Sequence, residues 1–131
     1  MRLFKAASLI SCLVLWGCSG ERTTVDYRDL VAPEGLLASA EAREEGAALF
    51  LRHCSLCHGE RGDGRGTRRI LSTAAADLTD PLWRQRATPE GVFIAIREGV
   101  PRTPMAAWRI FSEEQTWSLV AHVLSLAEDP S

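Results

Sequence analysis

The most regular apolar spacing in the chain lies near its C-terminal end. Trp117, Val120, Ala121 and Leu124 recur at i, i+3, i+4 and i+7, as one buried helical face requires. Ser112 and Gln115 precede them in the order of a capping box, so a helix is expected to start at Ser112. A second helix is expected from Thr88-Pro89-Glu90, which supplies a cap, a proline in the first turn and an acid behind it. It ends before Gly99 and contains Phe93, Ile94 and Ile96. A third should run from near Ser39 to about Arg52, capped by Ser39, with Glu41, Glu44 and Glu45 in its positive half. Gly46 and Phe50 share a face of that helix. A mid-helix glycine costs about 1 kcal/mol relative to alanine, so Gly46 predicts the close approach of another helix.

The intervening segments are irregular. Gly59 to Asp80 reads as a loop, with Gly59, Gly62, Gly64 and Gly66 spaced among charged residues. It is no phosphate-binding loop, because no Gly-Lys-Ser/Thr follows and no strand leads in. Val100 to Ala106 carries Pro101 and Pro104 and must be extended or turning. No stretch alternates as a strand does and no repeat is present, so the expected fold class is all-α.

The N-terminal part looks like targeting sequence. Arg2 and Lys5 precede an apolar run, Ala6 to Trp16, that is far shorter than the roughly 20 residues of a spanning helix. Residues 1–17 are therefore expected to be an export signal. Leu15-Trp16-Gly17-Cys18 resembles the lipobox of bacterial lipoproteins, although Trp16 is bulkier than that pattern prefers. The alternative is cleavage nearby that leaves Cys18 as a spare thiol, which suits an oxidising compartment badly. Residues 18–38 then form a lipidated cysteine and a flexible tether with a reach of roughly 25 Å. The folded domain is expected over 39–128. The expected location is the periplasmic side of a bacterial membrane, with the membrane as a partner through the lipid.

Charge narrows the partners further. The 131 residues hold 15 basic and 17 acidic side chains, and loss of residues 1–17 removes Arg2 and Lys5 but no acid. The remainder is net negative, which excludes a generic nucleic-acid binder. Roughly 90 residues of folded domain are marginal on apolar burial alone, so a disulfide, a metal or a cofactor is expected to supplement the core.

Cys54-Ser55-Leu56-Cys57-His58 points to the last of these. Cys-x-x-Cys-His is the haem attachment pattern: two thiols three positions apart bond the two vinyl groups of one porphyrin, and the next imidazole meets the iron. Other readings of the pair are a redox dithiol, a structural zinc site and a structural disulfide. The first expects a βαβ context and the second normally needs four ligands, whereas only His53, His122 and Cys18 remain to supply them. A disulfide leaves the small core unexplained. With haem present, the second axial ligand is expected to be Met105, the one methionine left after the signal, in Thr103-Pro104-Met105 between two helices. His122 is the rival, and His53 is too near the attachment site to reach the opposite face.

From about Ala40 to Ala127 the chain resembles the class I c-type cytochromes. The resemblance rests on Glu45-Gly46 through Phe50, Cys54 to Gly59, Gly99-Val100-Pro101 with Thr103-Pro104-Met105, and Ser112 through Trp117 to Leu126. It implies three or more helices around one covalently bound haem c, with the N- and C-terminal helices crossing, Gly46 and Phe50 against Trp117 and Val120. The chain departs from the family at Ala106, where proline often follows the methionine, and at His122, where tyrosine is common. It departs again at Ala76, where many members have a proline beside the backbone that orients the ligand histidine.

Histidine–methionine ligation tends to raise the reduction potential and leaves no open iron position. One-electron transport, without bond-making catalysis, is therefore the expected activity, between a redox donor and acceptor that the sequence does not name. Alternatives are a docked cytochrome subunit of a larger redox complex, and a peroxidase-like or gas-binding haem protein with a labile Met105. Trp83 and Arg97 are candidate contacts on the haem propionate side. Arg61, Arg65, Arg68, Arg69, Arg84, Arg86, Arg97, Arg102 and Arg109 either form a docking rim, or one or two of them bind haem propionates and the rest are solvated.

Overall fold

The computed structural model describes residues 25–68 and 73–128. The expected export signal, Cys18 and Arg69 lie outside the described residues. A 3-10 turn at Leu36–Ala38 leads into α1 (Ala40–His53), followed by α2 (Ser55–His58), α3 (Pro81–Arg86), α4 (Pro89–Glu98) and α5 (Glu113–Ser125). No strand occurs among the described residues, and the fold is all-α.

Local chemistry sets each start. The Ser39 hydroxyl accepts the Ala42 N–H at 3.2 Å, and Thr88 Oγ1 accepts the Gly91 N–H at 3.0 Å. At α5 the capping box is reciprocal: Ser112 Oγ takes the Gln115 N–H at 3.1 Å and Gln115 Oε1 takes the Ser112 N–H at 3.0 Å. Helix α3 is an addition to the three expected helices. Asp80 caps it through the Leu82 N–H at 2.9 Å, with Pro81 in the first turn.

Helix α5 runs through the centre, against α1, α4 and the 3-10 turn. Its burial is wider than one apolar stripe, because Thr116 and Ser118 are also buried. Both hydroxyls are satisfied, Thr116 on the Ser112 carbonyl and Ser118 on Glu45 Oε2, each at 2.7 Å. At the α1–α5 crossing Phe50 shares the buried core cluster with Trp117 and Val120, while Gly46 lies against the Ser118 backbone and His122. A Cβ added there would lie 2.6 Å from the Ser118 carbonyl carbon and 2.8 Å from His122 Cβ. Phe50, 1 % exposed, packs its ring 5.2 Å from that of His122.

The tether expected over residues 18–38 is corrected for its described part. Residues 25–38 form a strap on the domain: Tyr27, Leu30, Ala32, Leu36 and Leu37 pack against the core. Arg43 Nε donates to the Leu37 carbonyl at 3.1 Å, and the Tyr27 hydroxyl donates to Glu98 at 2.6 Å. Low periodicity concealed this docking, because an irregular strap buries scattered side chains and not a stripe. Among the described residues no helix is long and apolar enough to cross a membrane.

Candidate functional site

Helix α1 ends where Cys54 turns the chain, its N–H still bonded to the Phe50 carbonyl at 2.8 Å, and α2 carries Cys57 and His58. The glycine-rich segment then folds back over this corner. Gly64 and Gly66 donate to the carbonyls of His58 and Cys57 at 2.8 and 3.2 Å, and Arg68 donates to that of Leu56 at 3.0 Å. The motif is thereby held from both sides by backbone.

Beside it lies a cavity of about 290 Å³, near the lower end of the range for cofactor sites. Cys54, His58 and Met105 all line it, within an apolar wall that includes Phe50, Leu78 and Ile96. Two segments far apart in sequence, the Cys54–His58 motif and the Met105 loop, thus bring a thiol, an imidazole and a thioether to one space. Trp83 also lines the cavity, whereas Arg97 does not; its Nη1 donates to the Phe111 carbonyl at 2.5 Å. Among the described residues Arg86 is the only arginine in the wall; the sequence placed it among nine arginines without ranking it. The signal available was its place three residues after Trp83 on a helix that had not been anticipated. His122 is not part of the wall and packs on Phe50 instead.

The imidazole is oriented. His58 Nδ1 lies 3.2 Å from the Ala76 carbonyl oxygen. A carbonyl only accepts, so Nδ1 carries the proton and the Nε2 lone pair is left for a metal. The backbone at Ala76 therefore makes this bond without the proline that many class I cytochromes carry there. Burial pushes the His58 pKa below its ordinary value, only partly opposed by the Ala76 bond, which favours the neutral ring that ligates iron.

Met105 is held by its own loop. Gly99, at φ 74°, ends α4, and the Met105 carbonyl oxygen would lie 2.6 Å from any Cβ placed there. The Val100 N–H reaches that carbonyl at 3.2 Å, and the Met105 N–H reaches Thr103 Oγ1 at 3.2 Å.

The thiols speak against the other readings of the motif. Cys54 and Cys57 are free, and burial, with Cys57 alongside, pushes the Cys54 pKa up to about 11. A thiol so raised is a poor thiolate nucleophile for disulfide exchange. Among the described residues no group of three or more His, Cys, Asp or Glu side chains is placed to hold a metal, so a zinc site has no ligand set. An apolar cavity with one oriented imidazole, one thioether and a neutral thiol on its wall fits a haem.

Residues 41–123 match the model of the family described as cytochrome c oxidase, cbb3-type, subunit III. Among solved structures, the chain is similar to a chain of the Kuenenia stuttgartiensis reducing HAO-like protein complex Kustc0457/Kustc0458. Identity there is 32 %, with a TM-score of 0.53, over 64 % of this chain and 41 % of that one. It is similar to the KustC0563 c-type cytochrome at 28 % identity and a TM-score of 0.50, over 62 % of this chain and 95 % of that one. The fold is shared with cytochrome cL of Methylophaga aminisulfidivorans MPT, at 24 % identity and a TM-score of 0.52, over 66 % of this chain and 56 % of that one.

Proposed function

Because the chain belongs to the c-type cytochrome family described as cytochrome c oxidase, cbb3-type, subunit III, we propose that it carries single electrons on a haem c bonded to Cys54 and Cys57. His58 and Met105 are its axial ligands in this reading. Covalent haem c and electron transfer are properties of the family to which it belongs. The observation that carries the residue assignment is the meeting of Cys54, His58 and Met105 on one apolar wall, with His58 Nδ1 already engaged by Ala76.

Bound haem c supplies a one-electron ferric/ferrous couple. The protein's part is to hold and to tune. His58 is fixed in rotation by the Ala76 carbonyl and presents Nε2. Met105, on its hydrogen-bonded loop, offers a soft thioether that favours the ferrous state. Phe50, Leu78, Ile96, Leu119 and Val123 make the cavity wall apolar and disfavour added charge there. Arg86, which lines the cavity, would face a propionate in this reading, the role considered above for Arg97. A redox titration with optical spectra of the purified protein tests the whole reading. A low-spin haem whose ferric form binds added ligands only weakly supports it; high-spin haem in pure protein sinks it.

The finer aspects are also proposals. Export on residues 1–17 and a lipid on Cys18 would place the domain on the periplasmic side of a membrane. With the strap docked from Tyr27 onward, eight residues separate it from Cys18, a leash of at most about 32 Å. Mass spectrometry of the mature N-terminus decides this, and an unmodified Cys18 ends it. A second reading, a docked subunit of a larger redox complex, is favoured by the family description and by the similar chain from the Kuenenia complex. Co-purification of a stoichiometric partner from membranes would favour this over a diffusing carrier. Of the arginines proposed for a docking rim, Arg65, Arg68, Arg86 and Arg102 are exposed, as are Arg61 and Arg109 despite their partners within the domain, while Arg84 and Arg97 are half-buried.

A further inference from the structure

Glu98, the last residue of α4, stands at the root of the loop that carries Met105, and both of its carboxylate oxygens are engaged. Oε2 pairs with Arg109, four residues beyond Met105, so the two ends of segment 99–109 are joined across one side chain. Oε1 accepts the Tyr27 hydroxyl at 2.6 Å, from the N-terminal strap. The Tyr27 ring also packs edge-on against Phe93 of α4, with centroids 6.3 Å apart. Next to Glu98, Arg97 holds the Phe111 carbonyl, and the Trp108 N–H bonds the Ile96 carbonyl at 2.9 Å. Arg109 is 65 % exposed, and an exposed ion pair alone contributes little. The half-buried tyrosine adds what the pair lacks: a neutral donor, packed on an aromatic ring, that fixes the carboxylate.

We propose that Glu98 is a positioning residue for the Met105 loop, clamped on one oxygen by Arg109 and on the other by Tyr27, so that strap docking and loop closure are coupled. Coupling of this kind is reciprocal: a pull that lifts the strap loosens the loop, and an open loop loosens the strap. Its consequence for the iron rests on the reading of Met105 as axial ligand. An added ligand binds only where Met105 has left, so its apparent affinity rises in proportion to the open fraction.

The test uses the haem-loaded protein and the variants Tyr27→Phe and Glu98→Gln. Amide hydrogen exchange is read at Val100, Met105 and Trp108 in the loop and at Leu30 in the strap. Imidazole titration of the ferric form is followed optically. Loss of one charge-assisted bond is expected to speed loop exchange by about tenfold and to raise imidazole affinity by a similar factor in Glu98→Gln. Tyr27→Phe, which removes a single hydroxyl and leaves the ring, should move the same loop amides in the same direction. Ser39→Ala, which weakens the α1 cap, should lower global stability without changing imidazole affinity. Unchanged loop exchange in both substituted proteins overturns the clamp. A loop effect in Glu98→Gln that is absent in Tyr27→Phe overturns the coupling to the strap. Met105→Ala separates the two readings. If it binds imidazole no better than the parent, the ligand assignment is wrong, and the exchange rates still judge the clamp.

Discussion

Replacing Gly46 by alanine pits two physical effects of opposite sign against each other. Within an isolated helix the change stabilises by about 1 kcal/mol, because glycine is the poorer helix former. At the α1–α5 crossing the new methyl would lie 2.6 Å from the Ser118 carbonyl carbon and 2.8 Å from His122 Cβ, and closer still to the Ser118 carbonyl oxygen. Carbon atoms in good contact sit about 3.5–4.0 Å apart, so the helices must part by roughly 1 Å or more. The bonds that span the crossing resist this: Ser118 Oγ to Glu45 Oε2 at 2.7 Å, and Arg43 to Glu128 at 3.2 Å. Overpacking costs about 1–3 kcal/mol, and loss of the Ser118–Glu45 bond adds about 1.5–3 kcal/mol before the propensity gain is subtracted. The net expectation is a loss of about 1.5–5 kcal/mol, or a fall in Tm of about 7–24 °C for a domain of roughly 100 residues. Thermal unfolding of the haem-loaded protein, followed by circular dichroism, reads this directly. Ala48→Gly on the exposed face of the same helix should cost only about 1 kcal/mol. A Gly46→Ala protein that melts at or above the parent temperature would refute the crossing.

Met105→Ala should keep covalent haem, lower the reduction potential and admit imidazole or carbon monoxide; an unchanged potential in redox titration would show that another residue ligates. Arg86→Gln should lower the potential as well, since a cation at the cavity wall disfavours the ferric charge, while Arg86→Lys should retain most of it; a tenfold shift in the redox equilibrium corresponds to about 59 mV. Charge reversal at Arg65 and Arg68 should slow reduction by a physiological partner at low salt and much less at high salt, and rates that stay the same at both would dispose of the rim. His122 titrates with a pKa that burial holds below its ordinary 6.5, so the unfolded chain takes the proton first. Stability is then intact above about pH 6.5 and falls as pH drops below it. In urea unfolding at a series of pH values, His122→Tyr should reduce this slope below about pH 6.5, leaving the share of His58, which burial shifts the same way; a slope that does not change would place the titration elsewhere.

Which features the sequence disclosed follows from the range of the interactions involved. Caps are local, and Ser39, Thr88 and Ser112 with Gln115 all make the bonds that their order suggested. The attachment motif is local too, and Met105 could be singled out because it had no competitor of its kind. Asp80-Pro81 carried the same kind of signal for α3, but a six-residue helix has too few turns to show periodicity. Long-range partners were less accessible. Gly46 announced a close helix without saying which turn of α5 it met, since a shift of one residue rotates the facing side chains by about 100°. Arg97 and Arg86 could not be ranked, because their roles depend on which side of α4 and α3 faces the cavity. The bond from His58 to Ala76 spans eighteen residues through a carbonyl, a group that every residue possesses and that leaves no mark in a sequence.

The cavity also accounts for why the chain needs a covalent cofactor and not merely a bound one. Its walls come from α1, the segment holding Ala76 and Leu78, α3, α4, the Met105 loop and α5, so it occupies the place where a larger domain would put more side chains. An empty space of about 290 Å³, at roughly 24 cal/mol per Å³, costs at most about 7 kcal/mol, because one side opens to solvent. That is comparable with the entire stability of a small domain, about 5–15 kcal/mol. A group that fills it therefore supplies a large part of the core, and its departure would endanger the fold as well as the redox activity. Thioether bonds at Cys54 and Cys57, as proposed, would remove that hazard, and would do so just beyond α1, the helix that crosses α5 through Gly46. The end of that helix would then fix the cofactor and its middle the crossing, which would tie stability and cofactor retention to neighbouring turns of the chain.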